Sequence, residues 1–177
     1  KEKSMMVDSF LEKEGKGTGV IFVNRKEESL KVFNQLQQKF PRRRINLLHG
    51  ALTQKERRDA YTEFRDKGGV LVATDIAARG LDVKGLSWVL NYDLPFEAVY
   101  YVHRCGRTGR EGKLGRVYNF VTAADLKLMA RINEAILSQS SLALKTLEPS
   151  GLKIPNSKTS KKATGTGAAK KKVTKKV

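Results

Sequence analysis

The densest chemistry in the chain lies in the run His103-Arg104-Cys105-Gly106-Arg107-Thr108-Gly109-Arg110, three arginines and a histidine in eight residues. A guanidinium keeps its charge at any physiological pH, and its planar fork grips phosphate oxygens in pairs. Glycine lets the backbone turn sharply and approach a ligand closely. Arginines on a glycine-punctuated turn therefore suit a concentrated negative charge such as a nucleotide triphosphate. A solvated basic loop would have the same composition, so the assignment needs other segments beside it. The strongest is Ala73-Thr74-Asp75-Ile76-Ala77-Ala78-Arg79-Gly80-Leu81-Asp82.

Together the two runs resemble motifs VI (H-R-x-G-R-x-G-R) and V (A-T-D-x-A-A-R-G-L-D) of the C-terminal motor domain of DEAD-box RNA helicases. Every fixed position of both is filled. Val20-Ile21-Phe22-Val23-Asn24 is similar to motif IV, and His49-Gly50 with Gln54 and Arg57 to the Q-x-x-R region. The matches run in the family's order from Val20 to Arg110, and the similarity in pattern continues to about Ala135. His103 separates the chain from DEAH-type and viral superfamily 2 helicases, which usually have Gln there.

The resemblance implies roles residue by residue. Arg107 and Arg110 match arginine fingers that reach the γ-phosphate of ATP across an interdomain cleft, and such fingers are worth on the order of 10³–10⁵ in rate. His103 and Arg104 match positions that couple the cleft to the facing domain. Asp82 matches the acceptor for the ATP ribose. Thr74, Arg79 and Gly80, then His49, Gly50, Gln54 and Arg57, match RNA contacts. Asn24 and Arg25, at the end of the first strand, are expected to add another. Hydroxyls, arginines and N–H groups at helix starts do hold phosphates. None of them reads base edges by an evident geometry, and no aromatic stripe offers a stacking platform. RNA binding through backbone and 2′-hydroxyl contacts is therefore expected to be independent of sequence. Asp75 reads as a helix cap, and Cys105, at the variable position of motif VI, as a core residue.

What the sequence lacks is equally informative. It contains no G-x-x-x-x-G-K-[ST] and no D-E-A-D; Gly15-Lys16-Gly17-Thr18-Gly19 has neither the spacing nor a strand before it. The resemblance implies that the phosphate cradle and the acids that hold Mg2+ lie on an N-terminal RecA-like domain of the same parent chain. On this reading the present chain is inactive alone and is half of an ATP-dependent, RNA-stimulated motor for duplex unwinding or RNP remodelling. A free-standing RNA- or protein-binding module is a second reading, which the complete arginine run disfavours. A ribosome-assembly factor is a third and is compatible with the first.

The elements that must position these residues follow from periodicity. Short apolar runs at Val20–Asn24, Ile45–Leu48, Val70–Ala73, Trp88–Asn91 and Val117–Val121 read as strands. Helical spacing appears over 1–14, over Glu27–Phe40, after Thr53 with Glu56 completing a capping box, from Pro95-Phe96 to about His103, and from Ala123 to about Gln139. Leu126, Met129, Ile132 and Ile136 form the last apolar stripe. Strands that are apolar throughout are buried on both faces. The pattern therefore argues an α/β fold over 1–148 with helices on both faces of a central, mostly parallel sheet, which supports the RecA-like three-layer domain that the resemblance implies. Every motif begins at a strand end, where ligand sites of such sheets gather.

The 177 residues carry a formal net charge of +17, which points to a polyanionic partner. Nine of the 35 basic residues lie from Lys153 onward, where there is no acid. Residues 149–177 are accordingly expected to form a disordered Lys-rich tail, with Ala169–Lys176 a candidate nuclear import signal or RNA arm. A nuclear or nucleolar location, with a cytoplasmic one as the alternative, and a pre-ribosomal particle or protein cofactors as partners, is the corresponding expectation. One cysteine excludes an intrachain disulfide. No apolar run approaches the roughly 20 residues that span a bilayer, so no membrane partner is expected.

Overall fold

A computed structural model of the chain describes residues 2–78, 85–109, 114–137 and 144–146. Its elements run α1 (Glu2–Lys13), β1 (Gly19–Phe22), α2 (Lys26–Lys39), β2 (Ile45–Leu48), α3 (Gln54–Lys67), β3 (Val70–Ala73), α4 (Asp75–Ala78), β4 (Trp88–Asn91), α5 (Ala98–Cys105), β5 (Arg116–Asn119), a 3-10 turn (Ala123–Asp125), α6 (Leu126–Leu137) and β6 (Leu144–Thr146). The strands form one sheet in the order β2-β3-β1-β4-β5-β6, and every pairing is parallel.

Alternation along each strand divides the core into two layers. Val20, Phe22, Leu71, Ala73, Val89 and Val117 face one side with Phe64 of α3, Tyr101 and Cys105 of α5, and Met129 and Ile132 of α6. Ile21, Val70, Val72, Trp88, Leu90 and Tyr118 face the other with Val7, Phe10 and Leu11 of α1 and Val32 and Leu36 of α2. Helices thus cover both faces, which is why the strands read as unbroken apolar runs. Phe10 binds the second layer together, its ring edge-on to Trp88 at 5.1 Å and to Tyr118 at 4.9 Å. The expected RecA-like α/β architecture is the one observed.

Local signals account for most boundaries. Thr53 caps α3 with the reciprocal Glu56 contact that the sequence suggests. The helix ends where Gly68 and Gly69 take φ of 66° and 110°, a region that favours glycine. Three details differ from the sequence reading. The helix expected from Pro95-Phe96 begins only at Ala98, with Glu97 as its N-cap, and runs on to Cys105. Leu126, assigned to the apolar stripe of α6, is 53% exposed, because a 3-10 turn boxed by Thr122 and Asp125 precedes it and leaves it on the first turn. Met129 and Ile132 of that stripe are buried, and the Ile136 side chain lies outside the described residues. The sixth strand was not foreseen: three residues, Leu-Lys-Thr, carry no period, and it is the free edge of β5 that recruits them. Among the described residues no helix is long and apolar enough to cross a membrane. The tail expected over 149–177 lies outside the described residues.

Candidate functional site

The register of the sheet aligns the ends of its strands. Leu48, Ala73, Phe22, Asn91 and Asn119 are successive partners across β2, β3, β1, β4 and β5. Backbone pairing continues one step further, with Thr74 N–H donating to Leu48 O, Val23 to Ala73, Tyr92 to Phe22 and Phe120 to Asn91. The chain therefore leaves the sheet along a single edge, and His49, Thr74 and Asn24 follow one another there.

Arg104 lies at the centre of this edge. The sequence puts it in the last turn of α5, and its side chain is 1% exposed. Nε donates to Asp75 Oδ1 at 2.6 Å and Nη2 to Asp75 Oδ2 at 2.6 Å, a bidentate pair. Nη2 also donates to Asn24 Oδ1 at 2.8 Å, and Nη1 to Asn91 Oδ1 at 3.0 Å and to Asp93 O at 2.7 Å. The guanidinium carbon sits 5.0 Å from the centre of the Phe22 ring. An arginine has five N–H donors in all, and each has a partner here. A buried charge is tolerated only when paired and fully hydrogen-bonded, and this one is. Arg104 was expected to couple to a facing domain. In this domain its guanidinium is turned inward, with every donor used.

Two further residues are held in the same network. Asn24, expected to touch RNA, gives its Oδ1 to Arg104 and its Nδ2 to Leu94 O at 2.7 Å, so its amide is committed inside the domain. Asp75, expected as a cap, is the first residue of α4, and both its carboxylate oxygens accept from Arg104. Behind them Asn91 Nδ2 donates to Asn119 Oδ1 at 2.8 Å, and Asn119 Nδ2 donates to Tyr101 Oη at 3.1 Å. Asn91, Asn119 and Tyr101 were not singled out from sequence. The available signal was that two buried apolar strands, Trp-Val-Leu-Asn and Arg-Val-Tyr-Asn, both end in asparagine.

Outside this buried corner lies a depression lined by Phe22, Asp75, Ala78, Tyr100, His103, Arg104 and Arg107. His103 is exposed on the last turn of α5, with Tyr100 edge-on at 6.4 Å, and Arg107 is half-buried. The loop carrying Arg107 is anchored on two sides. Arg107 N–H bonds Arg104 O, and Thr108 N–H bonds Cys105 O. The buried Thr108 hydroxyl donates to Leu86 O, while Gly109 turns with φ of 71° close against Gly115. Because Arg104 neutralises Asp75, the carboxylate does not oppose an anion in the depression, and Arg107 beside His103 fits one. Cys105 is 3% exposed, and burial pushes its thiol up to about 11, as suits a core residue.

Along the same edge, Arg25, Gly50 and Gln54 are exposed, Arg57 is half-buried with Nη2 donating to Ala77 O at 3.4 Å, and Thr74 is nearly buried. His49 is 5% exposed; its Nδ1 accepts from Ala51 N–H at 3.2 Å. Burial first and Lys26 second hold its imidazole below the ordinary value, so it offers hydrogen bonds and no charge at neutral pH. Arg79, Gly80, Asp82 and Arg110 lie outside the described residues. Among the described residues no three His, Cys, Asp or Glu side chains gather as metal ligands would.

Comparison with known proteins gives this arrangement a family. The helicase conserved C-terminal domain matches residues 2–112. The chain is 40% identical over 136 residues to the ATP-dependent RNA helicase DbpA of Bacillus subtilis, covering 76% of this chain and 28% of the relative. It is 49% identical over 90 residues to the ATP-dependent rRNA helicase RRP3 of Coccidioides immitis, covering 50% of this chain and 19% of the relative. The chain thus spans less than a third of the length of either relative. The structure of the C-terminal domain of the DEAD-box protein Dbp5 superposes with a TM-score of 0.71 at 27% identity, covering 82% of each chain. The same protein from S. cerevisiae bound to RNA and ADP BeF3 superposes with a TM-score of 0.71 at 27% identity over 82% of this chain and 38% of that one. The chain belongs to the helicase conserved C-terminal domain family, as a C-terminal RecA-like domain of the DEAD-box kind.

Proposed function

We propose that this domain works against a second RecA-like domain, with ATP in the cleft between them and RNA along the strand-end edge. The observation that carries this reading is the pairing of an exposed His103 and a half-buried Arg107 on a loop fastened to the buried Arg104 corner. Bound ATP supplies a transferable γ-phosphoryl group, with Mg2+ held by acids of the facing domain. Arg107 and Arg110 hold the γ-phosphate and stabilise the charge that develops on it, Asp82 accepts from the ribose, and His103 meets the facing domain. Fixed donors aimed at developing charge need no reorganisation when the reaction occurs.

For RNA, the proposed contacts are Arg25, His49, Gly50, Gln54, Arg57, Thr74, Arg79 and Gly80, with Asn24 shaping the edge. His49, held neutral, acts as a hydrogen-bonding group. The contacts are to the backbone and independent of base sequence. Closure of the cleft aligns this half of the track and expels a strand locally; loss of the γ-phosphate reopens it. The domain alone is inactive in ATP hydrolysis. The rRNA helicase RRP3 among its relatives, with the Lys-rich residues 149–177, supports a nuclear or nucleolar role in ribosome assembly.

The deciding experiment measures ATP hydrolysis with and without RNA by this domain joined to its facing RecA-like domain. Arg107→Ala is expected to abolish the RNA-stimulated rate, and retained activity would overturn the finger assignment. Salt titration tests the tail, because each single-strand phosphate that the protein neutralises steepens log K against log salt by about 0.7. Deletion of 155–177 is expected to flatten the slope, and an unchanged slope removes the tail as an RNA arm.

A further inference from the structure

We propose that Tyr101 and Asn119 are positioning residues that set the roll and depth of α5, and so the placement of Arg107. The proposal rests on the reading of Arg107 as the group that meets the transferred phosphoryl.

Tyr101 and Arg104 stand three residues apart on α5, so both project from one face of the helix onto the sheet at different heights. Both are almost fully buried. They are joined beneath the helix by the two asparagines, which are partners in the β4–β5 register and are 0% exposed. Donor directions around this ring are dictated by Arg104. Its guanidinium only donates, so Asn91 must turn Oδ1 to Arg104 and Nδ2 to Asn119. Asn119 must then accept with Oδ1 and donate with Nδ2 to Tyr101 Oη. One contact would let the helix roll; two on one face, linked through both strand ends, hold its angle and its depth together.

The loop passes this constraint on. Arg107 and Thr108 bond back to the carbonyls of Arg104 and Cys105, so a shift of the helix end moves the base of Arg107 with it. On its far side the loop meets Leu86 through Thr108, and Gly115 through Gly109. The phenol and the amide pair touch no ligand; they act on Arg107 through the helix. A misplacement of about 1 Å at a group that stabilises transition-state charge can cost on the order of 100-fold in rate. A single missing brace should cost less.

The test compares two tyrosines in the two-domain protein. Tyr101→Phe removes the ring's terminal hydroxyl and leaves the packing. Tyr118→Phe makes the same chemical change on β5, where the hydroxyl donates to Glu14 Oε2 at 2.9 Å. Tyr101→Phe is expected to lower kcat for RNA-stimulated ATP hydrolysis about 3- to 10-fold, the factor matching one ordinary hydrogen bond. KM for ATP should hold, the melting midpoint should fall only as far as one buried hydrogen bond accounts for, and Tyr118→Phe should leave kcat unchanged. Asn119→Ser is expected to lower kcat similarly, and the double variant by less than the product of the two. Equal loss in both tyrosine variants, or no loss in Tyr101→Phe, overturns the proposal. Arg107→Ala, run alongside, tests the underlying reading separately. Should that variant stay active, exchange of the Arg104 Nε–H in the chain itself decides the brace. Faster exchange in Tyr101→Phe than in Tyr118→Phe supports it, and equal protection overturns it.

Discussion

Arg104 and Arg107 are the same residue type three positions apart, yet they occupy opposite environments. Arg104 is 2% exposed and spends all its donors on the ends of β1 and β4, on α4 and on Asp93. Arg107 lines a depression beside His103. Two of the motif's arginines therefore divide the labour. One fastens the helix end to the sheet, and the other is presented at the rim by that fastening. Sequence spacing alone gives both the same apparent phosphate-binding character. The helix end at Cys105 separates them, because Arg104 still projects from the helix face while Arg107 follows the turn at Gly106.

Removing each arginine should break the comparison in a different observable. Arg107→Ala is expected to lower the RNA-stimulated ATPase rate of the two-domain protein by roughly 10³-fold or more while costing much less stability in urea unfolding than loss of Arg104. Arg104→Met should do the reverse in kind: it leaves Asp75 and Asn91 without their partner, and a loss of about 3–5 kcal/mol in urea unfolding is expected. If Arg104→Met proves as stable as the parent, the buried corner is not what holds α5. Cys105 reports on the same corner with a smaller effect. Its thiol lies at about 11 against an ordinary 9.0, so its thiolate fraction near neutral pH is about 100-fold reduced. Thiol labelling should accordingly be slow in the folded chain and fast on unfolding. Because the folded value is raised, this group's contribution to stability is intact below pH 9 and falls as pH rises from about 9 to about 11. Labelling at the rate of an exposed thiol would show that the corner opens. The smallest effect tests a region remote from it: Thr53→Ala removes the cap of α3 and should cost about 1 kcal/mol in thermal or urea unfolding.

Much of the fold was legible because local rules carried it. The capping box at Thr53, the glycine stop at Gly68 and the uniformly apolar strands all follow from neighbours in sequence. The misread elements are those in which local and tertiary preferences part. Leu126 satisfies a helical stripe but sits on the first turn of α6, and β6 exists because β5 offers it an edge. In the site, residue types did not separate groups facing outward from groups facing inward. Asn24 and Arg104 read as contact residues and are internal partners of one another.

The amino-acid sequence by itself determined the family, the order of the elements and the gathering of its motifs at the ends of parallel strands, since periodicity and motif spacing are properties of neighbours along the chain. Only the tertiary structure decided which arginine is buried and which lies at the rim. It also decided that Asp75 neutralises Arg104, and that Asn91, Asn119 and Tyr101 complete a closed set of hydrogen bonds beneath it. Arg104 and its partner Asn24 are 80 residues apart. A buried charge selects its partners by distance and direction in space, which spacing along the chain does not encode.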